Sequence, residues 1–372
     1  MKSFPHGNKT EKIPIWSVIL LVVALASGIV LIIAKSNSSF AAFFNGSVSG
    51  AIRAVLAFLT NYIPFSLAEL LIILLPVLLT ILIVYAIKKR SHSLRAVISY
   101  FIILLSCASL IFTFFVFSFG VGYHVPTLYE RFDISEKDVT KEELKSTAIR
   151  LAEKINERVY EINYGNNGAS IMPYSLSEMN RKLIDAYKEI SNEYNFIQGF
   201  SSNIKPVLMS VPMSYSHTTG VYTFFSGEAN LNVDFPDYTL PYTAAHEFAH
   251  QRGIARENEA NFIAFLACIS SNDTYIEYSA YLNMFEYVAS ALYAADAELY
   301  KNVYSMLLPN ARREMHAYSI FYEKYRNSKA GEVSSAINNA YLIANGTSEG
   351  ARSYGLVVDL AVAYFEGYIG KK

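Results

Sequence analysis

His246-Glu247-Phe248-Ala249-His250 sets two imidazoles four residues apart, with a carboxylate beside the first. On a helix, residues at i and i+4 lie one above the other on one face. Two such rings can reach a single metal ion at Zn–N distances of about 2.0–2.1 Å. Glu247 is then placed to take a proton from a water that the metal polarises. Histidine is scarce, at 7 of 372 residues, so two of them at this spacing carry weight. The bland alternative is a pair of surface histidines on an amphipathic helix.

Two histidines do not complete a catalytic zinc site, which takes three protein ligands and one open position. The following residues can supply the third. A helix from about Thr239, with Pro241 tolerated in its first turn, can stop at Gly253, the residue type that accepts a left-handed conformation. The chain then doubles back, and Arg256-Glu257-Asn258-Glu259-Ala260-Asn261 opens an apolar helix through Phe262, Phe265, Leu266 and Ile269. Glu257 and Glu259 stand about 200° apart around a helix, so only one can face the metal. Glu257 is the expected ligand, because Asn261 shares its face and could orient it. Glu259 is the reserve. Either could instead be a solvated charge at a helix N-terminus, where the macrodipole favours it.

This pattern, HExxH and then Glu-x-x-x-Asn at the head of a second helix, resembles the gluzincin metallopeptidases. Glu257-Asn258-Glu259-Ala260-Asn261 is similar to the segment of the bacterial peptidases that cleave transcriptional repressors. Membrane-anchored peptidases with Glu-x-x-x-Asp share the pattern, with Asp where this chain has Asn261. In both groups the first Glu binds zinc, which implies that role for Glu257. Over nearly its whole length the chain also resembles a family of bacterial membrane proteins with an assigned domain and no assigned function. That likeness rests on three N-terminal apolar segments, Tyr222 to Asp234 with Gly227-Glu228-Ala229-Asn230, Pro241 to Asn261, and Ser353-Tyr354-Gly355. It implies a zincin-like peptidase domain with one Zn²⁺ ion.

Other segments must carry and position this site. Hydrophobic residues make up 52% of the chain and charged ones only 17%, which is apolar for a soluble protein. The excess is concentrated in three stretches, about Ile15 to Ala34, Phe65 to Ile87 and Val97 to Tyr123, each free of Lys, Arg and Asp. A bilayer needs about 20 such residues. The first is longer than the apolar core of a signal peptide and no clear small-residue cleavage site follows, so it is expected to remain as an anchor. Glu69, near the start of the second, can reach the interface. Lys88, Lys89, Arg90 and Arg95 crowd the loop between the second and third, and Lys2, Lys9 and Lys12 lie in the N-terminal tail, against Lys35 and Arg53 in the first loop. Positive charge stays inside. The expected arrangement is a cytoplasmic tail (1–14), a membrane domain of three transmembrane helices (15–123) and an extracytoplasmic domain (124–372).

Cys107 and Cys268 fall in different regions and are not expected to pair. The net charge of −1, with no basic tract beyond the membrane flanks, does not suggest a nucleic-acid partner, and none is expected. Beyond Arg131 the chain reads as mostly helical. Thr140-Lys141-Glu142-Glu143 is a capping box opening a helix to about Asn163, and Ser175 with Glu178 opens another. Gly220 to Phe235 reads instead as a β-hairpin turning at Ser226-Gly227-Glu228. Zincins present an edge strand before the motif helix, and a peptide can add to such an edge; Tyr222 to Phe225 is the candidate. Tyr215, His217 and Tyr222 are candidates to bind substrate or donate to a developing oxyanion. Tyr278, Tyr281 and Tyr293 fit a helical core.

The expected fold is therefore mainly α, with three transmembrane helices and a zincin-like α+β domain holding a small hairpin or sheet. The expected function is a membrane-anchored zinc metallopeptidase acting on a peptide or protein substrate. The alternative is a non-catalytic metal-binding sensor or scaffold, whose site would be closed by a fourth protein ligand.

Overall fold

The computed structural model describes residues 13–90, 94–134, 139–346 and 356–369. The basic tail residues Lys2, Lys9 and Lys12, and Ser353-Tyr354-Gly355, lie outside them. Uninterrupted apolar sequence forms α1 (Ile15–Ser36), α4 (Leu67–Arg90) and α5 (Leu94–Ser118). Between α1 and α4 runs a helical stretch that hydropathy alone leaves out. It comprises α2 (Ser38–Phe44), a π-helical segment (Asn45–Ser49) and α3 (Gly50–Asn61). Asn37 starts it by accepting from the Phe40 N–H at 2.9 Å.

Among the described residues, four helical stretches are thus long and apolar enough to cross a membrane, where the sequence predicts three. Asn45, Gly46, Ser47, Ser49, Gly50 and Arg53 interrupt the apolar pattern of the added one. The interruption has a structural purpose, because Asn45, Ser49, Gly50 and Arg53 are buried. α5 also ends at Ser118, short of Tyr123, and Gly120–His124 form a 3₁₀ turn.

The rest of the chain is built from α6 (Leu128–Phe132), α7 (Lys141–Val159), α8 (Leu176–Glu193), β1 (Ile204–Pro206), α9 (Ser210–Tyr215), β2 (Gly220–Thr223) and β3 (Glu228–Leu231). There follow α10 (Thr239–Gln251), α11 (Glu257–Ile269), α12 (Thr274–Ala295), α13 (Ala297–Met306), α14 (Pro309–Glu323), α15 (Lys329–Ala344) and α16 (Val357–Phe365). The Thr140–Glu143 capping box forms as read. A second, Thr127 with Glu130, opens α6. The expected hairpin is β2–β3, antiparallel with Tyr222 opposite Ala229, and β1 adds in parallel on the far side of β3. The order β1-β3-β2 leaves β2 at an edge. Tyr278 and Tyr281 are buried, as a core reading requires, whereas Tyr293 is exposed.

α10 and α11 form the centre of the core. Phe248, Ala249, Phe262, Ile263 and Phe265 are fully buried, in one cluster that draws on α7, α8, α12 and α16. The Tyr187 hydroxyl on α8 donates to the Ala245 carbonyl at 2.5 Å. Arg252, at the end of α10, lies over the rings of Tyr187, Phe200 and Phe248. A helix packed in this way is a rigid platform for the side chains it projects.

Candidate metal centre

α10 carries His246, Glu247 and His250, and Gly253 (φ +94°) reverses the chain behind it. That turn brings Glu257, the first residue of α11, back against the two rings. Glu257 Oε2 lies 3.2 Å from His246 Nε2 and 3.4 Å from His250 Nε2. Ligand atoms of all three residues fall within 4.8 Å of one another, a grouping that could hold a metal ion. A tetrahedron with bonds of about 2.0–2.1 Å has edges of roughly 3.3–3.4 Å, so these separations suit a zinc-sized ion. His250 Nδ1 lies 2.8 Å from the Ile254 carbonyl. Donation there fixes the tautomer and leaves Nε2 free as a ligand.

The electrostatics follow from burial and proximity. Burial alone would lower the His250 pKa, but Glu257, with help from Glu247 and the Ile254 carbonyl, lifts it to about 9. Burial would raise the Glu257 carboxyl, and the two imidazoles instead hold it well below the usual range. The group therefore presents a carboxylate to whatever cation lies between the rings. Glu259 is accounted for differently: Oε1 accepts from the Leu128 N–H and pairs with Arg256, each at 3.0 Å. Of the two glutamates, only Glu257 joins the cluster. Asn261 lines the same cavity, where its buried side-chain amide faces the Tyr287 hydroxyl. It was expected to orient Glu257, yet no hydrogen bond joins the two among the described residues.

Glu247 is buried, and that burial raises its pKa despite the neighbouring histidines. The Tyr222 backbone N–H donates to this carboxylate, while Oε2 has no partner. β2 runs directly beside it. A Cβ at Gly220 would lie 2.6 Å from Glu247 Oε1 and 2.7 Å from its Cγ, so only glycine lets the strand come this close.

The centre opens on a cavity of about 1030 Å³ lined by β2, α10, α12 and α15. Its walls include Phe119 and Tyr123, just past the end of α5, and the Phe119 ring meets His250 edge-on at 5.8 Å. Among the described lining residues are three acids, Glu247, Glu257 and Glu286, and no Lys or Arg. The substrate-binding candidates separate here. Tyr215 is exposed, packs on Tyr325 and is not part of the wall. His217 is in the wall, but its Nε2 is engaged 2.7 Å from the Tyr325 carbonyl. Tyr222 contributes its backbone, while its ring is buried among Phe119, Tyr123 and Ala255. Sequence reasoning did not single out Gly220, Tyr287 or Tyr341. The two phenols line the cavity and both feel the charge of Glu257. Burial, with that charge, pushes Tyr341 up to about 12.

Cys107 and Cys268 are both free. The Cys268 thiol faces the Pro241 carbonyl and takes no part in the cluster. No curated protein and no solved structure matches the chain. The family model described as "Protein of unknown function (DUF3810)" matches residues 44–362, which takes in every residue of the centre, and the chain belongs to that family.

Proposed function

We propose that the protein is a membrane-anchored, zinc-dependent metallopeptidase that cleaves within peptide chains, with Glu247 as general base. The observation behind this reading is the grouping of His246, His250 and Glu257, with Glu257 Oε2 at 3.2 and 3.4 Å from the two imidazole nitrogens, beside a buried Glu247 carboxylate oxygen that has no partner. Zinc, when bound, supplies a Lewis acid that polarises a carbonyl and lowers the pKa of water towards about 7. His246, His250 and Glu257 would hold it. Glu247 would take a proton from the attacking water and return it to the leaving amine. Tyr287 and Tyr341 take the place of Tyr215, His217 and Tyr222 as candidate donors to the carbonyl oxygen. β2 presents its outer edge for an extended peptide to join by main-chain hydrogen bonds.

A sensor or scaffold would need a fourth protein ligand to close the site. Among the described residues the cluster has three, which favours chemistry over storage. The distribution of Lys and Arg supports a cytoplasmic N-terminus and an extracytoplasmic catalytic domain. The test uses the purified full chain loaded with zinc and peptides blocked at both ends. Wild type should cleave them, and Glu247→Gln should lose on the order of 10²–10⁴ in rate with its zinc content unchanged. Cleavage by Glu247→Gln at the wild-type rate, or by a zinc-free preparation, would refute the proposal.

A further inference from the structure

The helical stretch Ser38–Asn61 has 24 residues, enough to cross a bilayer. Its contacts describe something else. Near its start, Asn45 Nδ2 donates to the Gly253 carbonyl behind the metal helix at 3.0 Å. At its middle, Arg53 is fully buried and donates to the Ser118 carbonyl at 2.9 Å, where α5 ends. Close by, Gln198 Nε2 donates to the Gly46 carbonyl at 3.0 Å. At its end, Asn61 Oδ1 accepts from the Asn203 N–H and the Thr60 carbonyl accepts from Lys205 Nζ, each at 2.8 Å.

The contacts with the 198–253 region therefore run from Asn45 to Asn61, about 24 Å of helix at 1.5 Å per residue. Those partners are amides, carbonyls and an ammonium, groups that do not sit in hydrocarbon. A helix flanked by them along this length runs beside the catalytic domain and does not pass through the bilayer.

The opposite face is apolar and exposed. Phe43, Val55, Phe58, Leu59 and Tyr62 follow helical spacing, and Phe43 and Tyr62 are 68% and 75% exposed. The buried face carries Ala41, Phe44, Arg53, Ala57 and Thr60. The stretch begins where α1 ends, at Asn37, and leads into α4 at Leu67, so both of its ends are tied to apolar helices. Beyond it, Glu228 of β3 accepts from the Leu67 and Ala68 N–H groups at the start of α4, at 3.1 and 3.2 Å.

We infer that α2 and α3 lie in the plane of the membrane surface, with the Phe43-to-Tyr62 face resting on lipid and the other face carrying the catalytic domain. An amphipathic helix with one large apolar face is suited to that boundary. The chain then crosses the bilayer with α1, α4 and α5 only, and the metal centre sits next to the bilayer surface. This rests on the contacts of the stretch and not on the peptidase reading.

Single cysteines in a background lacking Cys107 and Cys268 test it in intact cells with a membrane-impermeant maleimide. Ser38→Cys and Pro64→Cys, exposed at the two ends of the stretch and off its apolar stripe, should label together with Lys141→Cys in the catalytic domain, and oppositely to Ser93→Cys between α4 and α5. Labelling of the two ends from opposite sides would overturn the inference. A second measurement places a tryptophan at Phe58 in a Trp16→Phe background, in vesicles of brominated phosphatidylcholine. Quenching should be strongest with bromines near the headgroups. Absence of quenching, or quenching strongest at the bilayer centre, would overturn it equally.

Discussion

Glu247 occupies a space that only a glycine neighbour permits. The strand passes so close that a methyl group at Gly220 would meet the carboxylate at 2.6 Å. Gly220→Ala should therefore displace the base and leave the metal ligands in place. The expected outcome is a loss of at least about tenfold in kcat, equivalent to about 1.4 kcal/mol, with zinc content unchanged, read by single-turnover cleavage and metal analysis. The two glutamates of α11 offer a sharper contrast. Glu257→Ala should weaken zinc binding by orders of magnitude, whereas Glu259→Gln should keep zinc and lose stability, because Glu259 is tied to Leu128 and Arg256. Competition with a chelator and thermal unfolding separate the two effects. His246, Glu247, His250 and Glu257 were legible in the sequence because a helix and one turn convert spacing directly into proximity. Gly220, Tyr287 and Tyr341 were not, because they reach the cavity from other elements. In a chain with 28 tyrosines, nothing local sets two of them apart.

At the scale of elements, the turn between α10 and α11 couples the candidate metal centre to the helices before it. Gly253 holds a left-handed conformation and has the Arg53 guanidinium packed against its Cα. Gly253→Ala should cost about 1–2 kcal/mol for the backbone alone, and more where the added methyl meets Arg53. Thermal unfolding should show a lower midpoint, and zinc affinity should fall with it, since the same turn presents Glu257 to the two imidazoles. The helix–turn–helix and the hairpin were readable because periodicity and glycine positions act locally. The Ser38–Asn61 stretch was not. Its polar residues are buried against Gln198, Gly253 and the end of α5, so tertiary contacts override what looks from hydropathy like a loop. β1 was missed for a related reason: it is a three-residue strand that exists only because β3 is there to pair with it.

Across the whole molecule, buried acids make stability depend on pH. Burial pushes Glu314 up to about 7, even though it accepts from the Ser170 N–H and the Tyr278 hydroxyl at 2.8 and 3.2 Å. An unfolded glutamate titrates near about 4.3. Between those values the folded chain holds a proton that the unfolded chain has released. Stability is then full below about pH 4.3, falls as pH rises towards 7, and levels off above that. Replacing Glu314 with Gln should flatten this fall by on the order of 1–3 kcal/mol, seen as a smaller drop in Tm between pH 5 and 7.5. Glu286, pushed by burial to about 7 in the cavity wall, should add a fall of the same sign.

The arrangement as a whole places a rigid two-helix platform, an edge strand and a wide cavity directly beyond the end of α5. The peptidase reading depends on the three residues that converge on one point. Zinc content and zinc K-edge absorption of the purified full chain test that convergence most directly. The account predicts one zinc per chain, with two imidazole nitrogens and a carboxylate oxygen at about 2.0–2.1 Å, lost together in His246→Ala and in His250→Ala. A chain that binds no zinc, or one that keeps it with both histidines replaced, would contradict it.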